Sequence, residues 1–244
     1  MQAVLHRVGG ALGPQVVFLH GFGADRLSWL GVAPPLQDLA EVFAVDLPGH
    51  GDAGDDVGQG TAAELAMAVE SAVAGLAGPL LLVGHSLGGL VALHLAARDP
   101  GRFRILALVA PAGMGGVVDA EFLRAFPRLG SQQDALALLL QMVVKPRHIA
   151  PGMAAHVLAS LARPSRRTGL ARIADALIAA PPLSATAAGN ARIVWGAEDR
   201  ILPPPAGLNV RLLPGVGHLP QVEAASAVQR ALREALVAVT VPRA

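Results

Sequence analysis

Residues 80–97 read LLLVGHSLGGLVALHLAA, and this stretch decides the fold. It opens on four consecutive apolar residues, Leu80 to Val83, as a strand buried on both faces of a parallel sheet does. Leu90 to Ala97 has a helical pattern. Between them lies Gly84-His85-Ser86-Leu87-Gly88, followed by Gly89, a match to G-x-S-x-G. In the order strand, sharp turn, helix, that pattern holds a serine in a strained turn at the strand end, and the small glycines let helix and strand pack closely around it. Ser86 is therefore the candidate nucleophile. The backbone N–H of Leu87, at the start of the helix, points where an oxyanion would form.

The same stretch belongs to a run from Ser71 to Ala97, 27 residues with no Asp, Glu, Lys or Arg, which is long enough to span a bilayer. Pro79 and the glycines crowded around Ser86 would break such a helix and leave backbone groups unpaired in lipid, so a membrane span is rejected. The opening MQAVLHRVGGALG has no basic segment followed by a long apolar one, so no signal peptide is expected and the cytoplasm is the expected compartment. Of the 244 residues 53% are hydrophobic and only 3% aromatic, with 47 Ala, so the core is expected to be built from Leu, Val and Ala. Nineteen Lys+Arg against 18 Asp+Glu leave a net charge of +1 without long runs of one sign, which disfavours nucleic acid and anionic membranes as partners. With no Cys there is no disulfide framework, thiolate zinc site or Cys nucleophile, and with no Tyr there is no phenol to act as acid or oxyanion donor. No His/Asp/Glu cluster shows metal-ligand spacing, so neither a metal nor another cofactor is expected, and a small molecule is the expected partner. Nothing in the sequence encodes an oligomeric state.

Outward from the serine turn, short β-branched or Leu-rich runs alternate with Ala-rich helical stretches, the pattern of an α/β fold with a mostly parallel central sheet and helices on both faces. Strands are expected at Gln15–Leu19, Glu41–Val45, Leu80–Val83, Ile105–Val109, Ile193–Trp195 and Val210–Leu213, with an edge strand within Ala3–Val8. Thr61-Ala-Ala-Glu64 predicts a capping box opening a helix to about Leu76, a second helix follows Ser86 to near Asp99, and the last begins near Glu223. From Pro111 to Gly189 the alternation lapses into helical patterns, which Pro146, Pro151, Pro164 and Pro181-Pro182 divide into three or four short helices. The expected division is a core of residues 1–110 and 190–244 with a helical insertion of 111–189.

A serine hydroxyl is a weak nucleophile and requires a base within hydrogen-bond reach and a third group to orient that base. His218 sits in Gly215-Val-Gly-His218, between the last strand and the last helix, where an imidazole reaches the carboxyl edge of the sheet, and is the candidate base. Ile193-Val-Trp-Gly-Ala-Glu198-Asp199 offers two carboxylates after a strand; Asp199 is the candidate acid and Glu198 its rival. His20-Gly-Phe-Gly23 directly follows the first core strand, making the Phe22 N–H the second candidate oxyanion donor and its ring part of the substrate wall.

These motifs, together with Asp46-Leu-Pro-Gly-His-Gly51, resemble the α/β-hydrolase superfamily across nearly the whole chain. The resemblance implies the α/β-hydrolase fold with a helical cap inserted after its sixth-strand position, and a triad in the order Ser, Asp, His. More narrowly, Ala110-Pro-Ala-Gly-Met-Gly115 looks like the hydrolase-like C-terminal domain of the acetyltransferase component of bacterial acetoin dehydrogenase complexes. The sequence carries no lipoyl or subunit-binding domain and no His-x-x-x-Asp-Gly motif, so an acyltransferase role would run through Ser86. Dehalogenases and epoxide hydrolases of this superfamily use an Asp nucleophile, and Ser86 argues against both. The expected activity is cleavage of an ester or related acyl bond of a small, fairly apolar substrate through an acyl-enzyme. Carbon–carbon bond hydrolysis, Ser-dependent acyl transfer and an inactive ligand-binding module are the alternatives.

The remaining chemistry-bearing residues have plainer readings. His85 is expected to hydrogen-bond near the turn, and His20 and His50 to join neighbouring loops, while His94 is structural. Arg163, Arg166, Arg167 and Arg172 are read as a solvated helix face. Met114 is the candidate substrate contact at the entry to the insertion. Phe122, Phe126, Met142 and Met153 are read equally as pocket wall or core.

Overall fold

The computed structural model describes residues 1–10, 13–189 and 191–240. Among these residues seven strands form one sheet: β1 (Val4–Gly9), β2 (Gln15–Leu19), β3 (Glu41–Asp46), β4 (Leu80–His85), β5 (Phe103–Val109), β6 (Arg192–Gly196) and β7 (Arg211–Leu213), in the spatial order β1-β3-β2-β4-β5-β6-β7. Only β1 runs antiparallel, against β3; the five other pairings are parallel. Among the described residues eight α-helices accompany them: α1 (Ala62–Ala72), α2 (Leu87–Arg98), α3 (Ala120–Ala125), α4 (Gln132–Leu140), α5 (Pro151–Ser160), α6 (Pro164–Ala179), α7 (Pro220–Glu223) and α8 (Ala225–Thr240). The expected strands coincide with these within two residues at each end, because apolar runs that short have no other way to bury both faces.

Strand alternation divides the core in two. Val17 and Leu19 of β2 and Leu80 and Leu82 of β4 face a cluster that includes α1, α2 and the helices between β5 and β6. Val16, Phe18, Leu81 and Val83 face the other cluster, with Trp29, Leu36 and α8 residues Val228 and Leu232. Each fully buried Leu or Val contributes about 1.5–3 kcal/mol, and the large rings of Phe18, Phe103 and Trp195 on the strands and Trp29 beside them are also fully buried in the core.

Local signals set the helix ends. The Thr61 hydroxyl accepts from the Glu64 N–H while the Glu64 carboxylate receives the Thr61 N–H, a complete capping box. Pro151 and Pro164 stand at the first positions of α5 and α6, where a missing N–H costs nothing. The segment after β5, from Pro111 on, holds four α-helices and returns to the sheet at β6, with no strand between Val109 and Arg192 among the described residues. β5 is the fifth strand in chain order. The parallel strands end along one edge of the sheet, where the loops after β2, β3, β4, β6 and β7 meet, as ligand sites of open α/β sheets do. Among the described residues no helix is long and apolar enough to cross a membrane.

Candidate active site

Ser86 joins β4 to α2 with φ +49° and ψ −116°, a conformation that non-glycine residues rarely adopt. Such a residue costs about 1–3 kcal/mol and persists only where its surroundings fix it. Here its N–H donates to Val109 O at 3.0 Å, and its carbonyl accepts from the Gly89 and Ala112 N–H groups at 2.9 and 3.0 Å. The glycines beside it are obligatory: a Cβ on Gly88 would lie 2.2 Å from Leu19 O, and one on Gly84 2.5 Å from Gly88 O.

His218 and Asp199 converge on this turn from the loops after β7 and β6. Ser86 Oγ stands 3.1 Å from His218 Nε2, and His218 Nδ1 donates to Asp199 Oδ2 at 2.7 Å. All three residues are buried. The acid is fixed on every side, its Oδ1 accepting from the Ile201 and Leu202 N–H groups at 2.9 Å each and its Oδ2 also from Trp195 Nε1 at 3.0 Å. Glu198, the rival acid, faces elsewhere: its Oε2 accepts from the Gly215 and Val216 N–H groups at 2.8 and 3.1 Å, bracing the loop that carries His218. A hydroxyl, an imidazole and a carboxylate connected in this way can pass a proton from the hydroxyl to the imidazole as the oxygen attacks a carbonyl.

The loop after β2 abuts the same turn, since a Cβ on Gly21 would meet Ser86 Cβ at 3.3 Å. Two histidines hold it. His20 donates through Nδ1 to Gly21 O at 2.8 Å and accepts the Leu47 N–H on Nε2 at 3.0 Å; His50 donates through Nδ1 to Pro48 O and accepts the Gly23 N–H on Nε2, both at 3.0 Å. Each ring must be uncharged to accept, and burial keeps it so: the pKa of His20 is lowered, and that of His50 falls to about 3 through burial and then the proximity of His20. Among the described residues neither the Phe22 N–H nor the Leu87 N–H donates to a backbone carbonyl. Both are thus available to a developing oxyanion. His85 donates through Nε2 to His218 O at 2.8 Å, burial holding its pKa well below the ordinary value.

Beside the turn lies a cavity of about 580 Å³, within the range of small-molecule sites. Phe22, His85, Met142 and Leu219 line it; Ser86 and His218 are not among the lining residues but are the chain neighbours of His85 and Leu219, which are. Phe126, Leu139, Met153 and Val157 make most of the rest apolar, and the His156–Asp25 pair, at 2.5 Å, bridges α5 to the loop after β2. Met114 does not line this cavity; it is buried in the adjoining core cluster. Of the residues read as either wall or core, Phe126, Met142 and Met153 are wall, whereas Phe122 is core. Of the four arginines expected on a solvated face, Arg163 and Arg172 are exposed, whereas Arg166 and Arg167 are not. Buried Arg166 binds Asp55 Oδ1 and the carbonyls of Gly51 and Ala53, and Arg167 binds those of Pro127, Leu129 and Leu161. They tie α6 to its neighbours because a carbonyl at a loop end needs a donor and a long guanidinium supplies several.

His6, Asp46 and Asp52 lie close enough to share a cation, but Arg26 already fills that place, its Nη1 2.6 Å from Asp46 and 2.9 Å from Asp52. Two contributors escaped sequence reasoning. Trp195 Nε1 supports Asp199, a role signalled only by its position four residues ahead of the acid. Glu223, read as a helix start, reaches back to the His218 loop with its carboxylate.

The model of the alpha/beta hydrolase family matches residues 16–231. The chain belongs to that family. The chain is 32% identical, over 91% of its length, to the dihydrolipoyllysine-residue acetyltransferase component of the acetoin cleaving system of Pseudomonas putida, of which it spans 63%. It is also 32% identical, over 79% of its length, to a pimeloyl-[acyl-carrier protein] methyl ester esterase of Neisseria meningitidis serogroup B, covering 78% of that protein. Among solved structures, the meta-cleavage product hydrolase of Pseudomonas fluorescens IP01 superposes with a TM-score of 0.78 at 19% identity, over 98% of this chain and 95% of that one, which is a likeness of fold. The narrower resemblance read from Ala110–Gly115 and the wider superfamily motifs thus both find their counterparts, and the chain has the α/β-hydrolase fold.

Proposed function

We propose that this hydrolase cleaves an ester or related acyl bond of a small, fairly apolar substrate through an acyl-enzyme on Ser86. The observation that carries the proposal is the buried chain from Ser86 Oγ to His218 Nε2 at 3.1 Å and from His218 Nδ1 to Asp199 Oδ2 at 2.7 Å, on a turn of positive φ. In this reading His218 takes the Ser86 proton as Oγ attacks the carbonyl and returns it to the leaving group. Asp199 keeps the proton on Nδ1 and stabilises the imidazolium. The N–H groups of Phe22 and Leu87 receive the oxyanion, each contributing about 3 kcal/mol of barrier lowering. Water then enters by the same base to release the acid.

The helices of residues 111–189 serve as a cap in this account. The apolar walls contributed by Phe126, Leu139, Met142 and Met153 support an aliphatic or aromatic acyl or alcohol group in the 580 Å³ cavity. A p-nitrophenyl ester is the test substrate: turnover by the wild type and its loss in a folded Ser86→Ala variant are expected, and unchanged turnover in that variant would sink the proposal.

Acyl transfer is the second reading, favoured by the 32% identity to an acetyltransferase component. It uses the same acyl-enzyme with a thiol in place of water. Product analysis in the presence of a competing thiol separates the two, since transfer yields thioester and hydrolysis yields free acid.

A further inference from the structure

Glu223 joins two parts of the molecule that the chain keeps far apart. Its Oε1 accepts from the N–H groups of Val144 and Lys145 at 3.0 and 2.9 Å, both in the segment between β5 and β6. Its Oε2 accepts from the Gly217 N–H at 2.6 Å, one residue before the candidate base. Next to this junction the His218 N–H donates to Met142 O at 2.7 Å, while His218 O accepts from His85 Nε2 at 2.8 Å. The two segments are in backbone contact, for a Cβ on Gly217 would stand 2.6 Å from Met142 O.

The residue type fits the task. Three N–H donors on two oxygens call for a carboxylate, because an amide would turn its own N–H₂ toward one set of them. Hydrogen bonds to an ionised acceptor are also about twice as strong as neutral ones. The placement matters because Met142 and Leu219 both wall the cavity. Met142 holds the His218 N–H, and Leu219 is the next residue in the chain. A molecule in the cavity therefore presses on the two residues attached directly to the base.

We propose that Glu223 is a positioning residue that couples the 142–145 segment to His218, so that a substrate seated against Met142 and Leu219 sets the reach of the imidazole to Ser86. The inference rests on the reading of His218 as general base. Proton transfer across the 3.1 Å Oγ–Nε2 contact depends steeply on geometry, and a misplacement of about 1 Å costs about a hundredfold. A carboxylate joining both segments keeps them moving together.

Two variants approach the junction from opposite sides. Glu223→Gln removes an acceptor, and Gly217→Ala forces Met142 and the His218 loop apart. Each is titrated with a fluorophosphonate so that kcat is expressed per competent serine, and both are compared on a p-nitrophenyl ester. The expected result is a kcat lowered by about tenfold or more per titrated site with KM within about twofold. If both variants keep the wild-type kcat per titrated site, and lose only folded fraction, melting temperature or KM, Glu223 merely holds the fold and the inference is wrong. Should Glu223→Gln fail to fold, Gly217→Ala decides alone. A wild type that neither reacts nor turns over removes the triad reading and this inference with it, whereas an active wild type with wild-type-like variants removes this inference alone.

Discussion

Trp195 Nε1 donates at 3.0 Å to Asp199 Oδ2, the same oxygen that accepts the hydrogen bond from His218 Nδ1 at 2.7 Å. The indole comes from the penultimate residue of β6, and its Nε1 also donates to Leu202 O at 2.9 Å, so it cannot rotate away. With two backbone donors on Oδ1, the carboxylate has a single orientation, the one that holds His218 with Nε2 free to face Ser86.

Replacing the acid should therefore separate the two neighbouring carboxylates. Asp199→Asn is expected to lower kcat by about ten-thousandfold, because an amide donating to Nδ1 favours the wrong tautomer. Glu198→Gln alters only a loop brace and should lower kcat by less than about tenfold. Steady-state kinetics on one ester checks both. Equal losses would mean that the acid has been misassigned.

Gly88→Ala tests the serine turn as architecture. Its Cβ would lie 2.2 Å from Leu19 O and 2.5 Å from His20 O, and backbone on both sides cannot yield as a side chain can. A loss of about 4 kcal/mol or more is expected, in the range reserved for gross steric conflict. Urea denaturation measures it, and a loss under about 1 kcal/mol would show that helix and strand pack less tightly than described.

Filling the cavity should change chain-length selectivity. Leu139, from α4, is one of its apolar walls. Leu139→Trp is expected to lower the ratio of kcat/KM for an octanoate ester to that for an acetate ester by about tenfold, since each excluded methylene forfeits about 0.8 kcal/mol. An unchanged ratio would place the acyl group elsewhere.

The buried histidines make stability depend on pH in a direction that can be worked out. In the unfolded chain a histidine binds its proton near pH 6.5, whereas folded His50 does so only at about 3. Between these values the unfolded state holds more protons, so stability rises with pH there, is complete above about 6.5, and is lost as pH falls toward 3. His20 and His85, also lowered by burial, act in the same direction. Denaturation midpoints across this window should show the rise, and His50→Gln should flatten it. The same slope in the variant would contradict the neutral, hydrogen-bond-accepting His50 of the loop junction.

The strands, the serine turn and the order of Ser86, Asp199 and His218 were legible because each rests on a local pattern: an apolar run, a glycine where only backbone fits, a carboxylate after a strand. Phe126 and Met142 were ambiguous for the opposite reason. A cavity is bounded by residues from distant segments, and the same apolar side chain serves equally as wall or core, which is why Met114, a substrate contact on sequence grounds, lies in the core. Arg166 and Arg167 misled because composition cannot distinguish a guanidinium in water from one satisfied by loop carbonyls. Glu223 was invisible because its three donors lie 6, 78 and 79 residues away, and no sequence pattern reports such a pairing.

The central claim is that Ser86 is a nucleophile activated by His218. Intact-protein and peptide mass spectrometry after treatment with a fluorophosphonate tests it most directly. The account predicts a single adduct, located on Ser86, formed much more slowly in His218→Ala and absent from Ser86→Ala. An unlabelled wild-type protein, or an adduct on another residue that persists in Ser86→Ala, would contradict it.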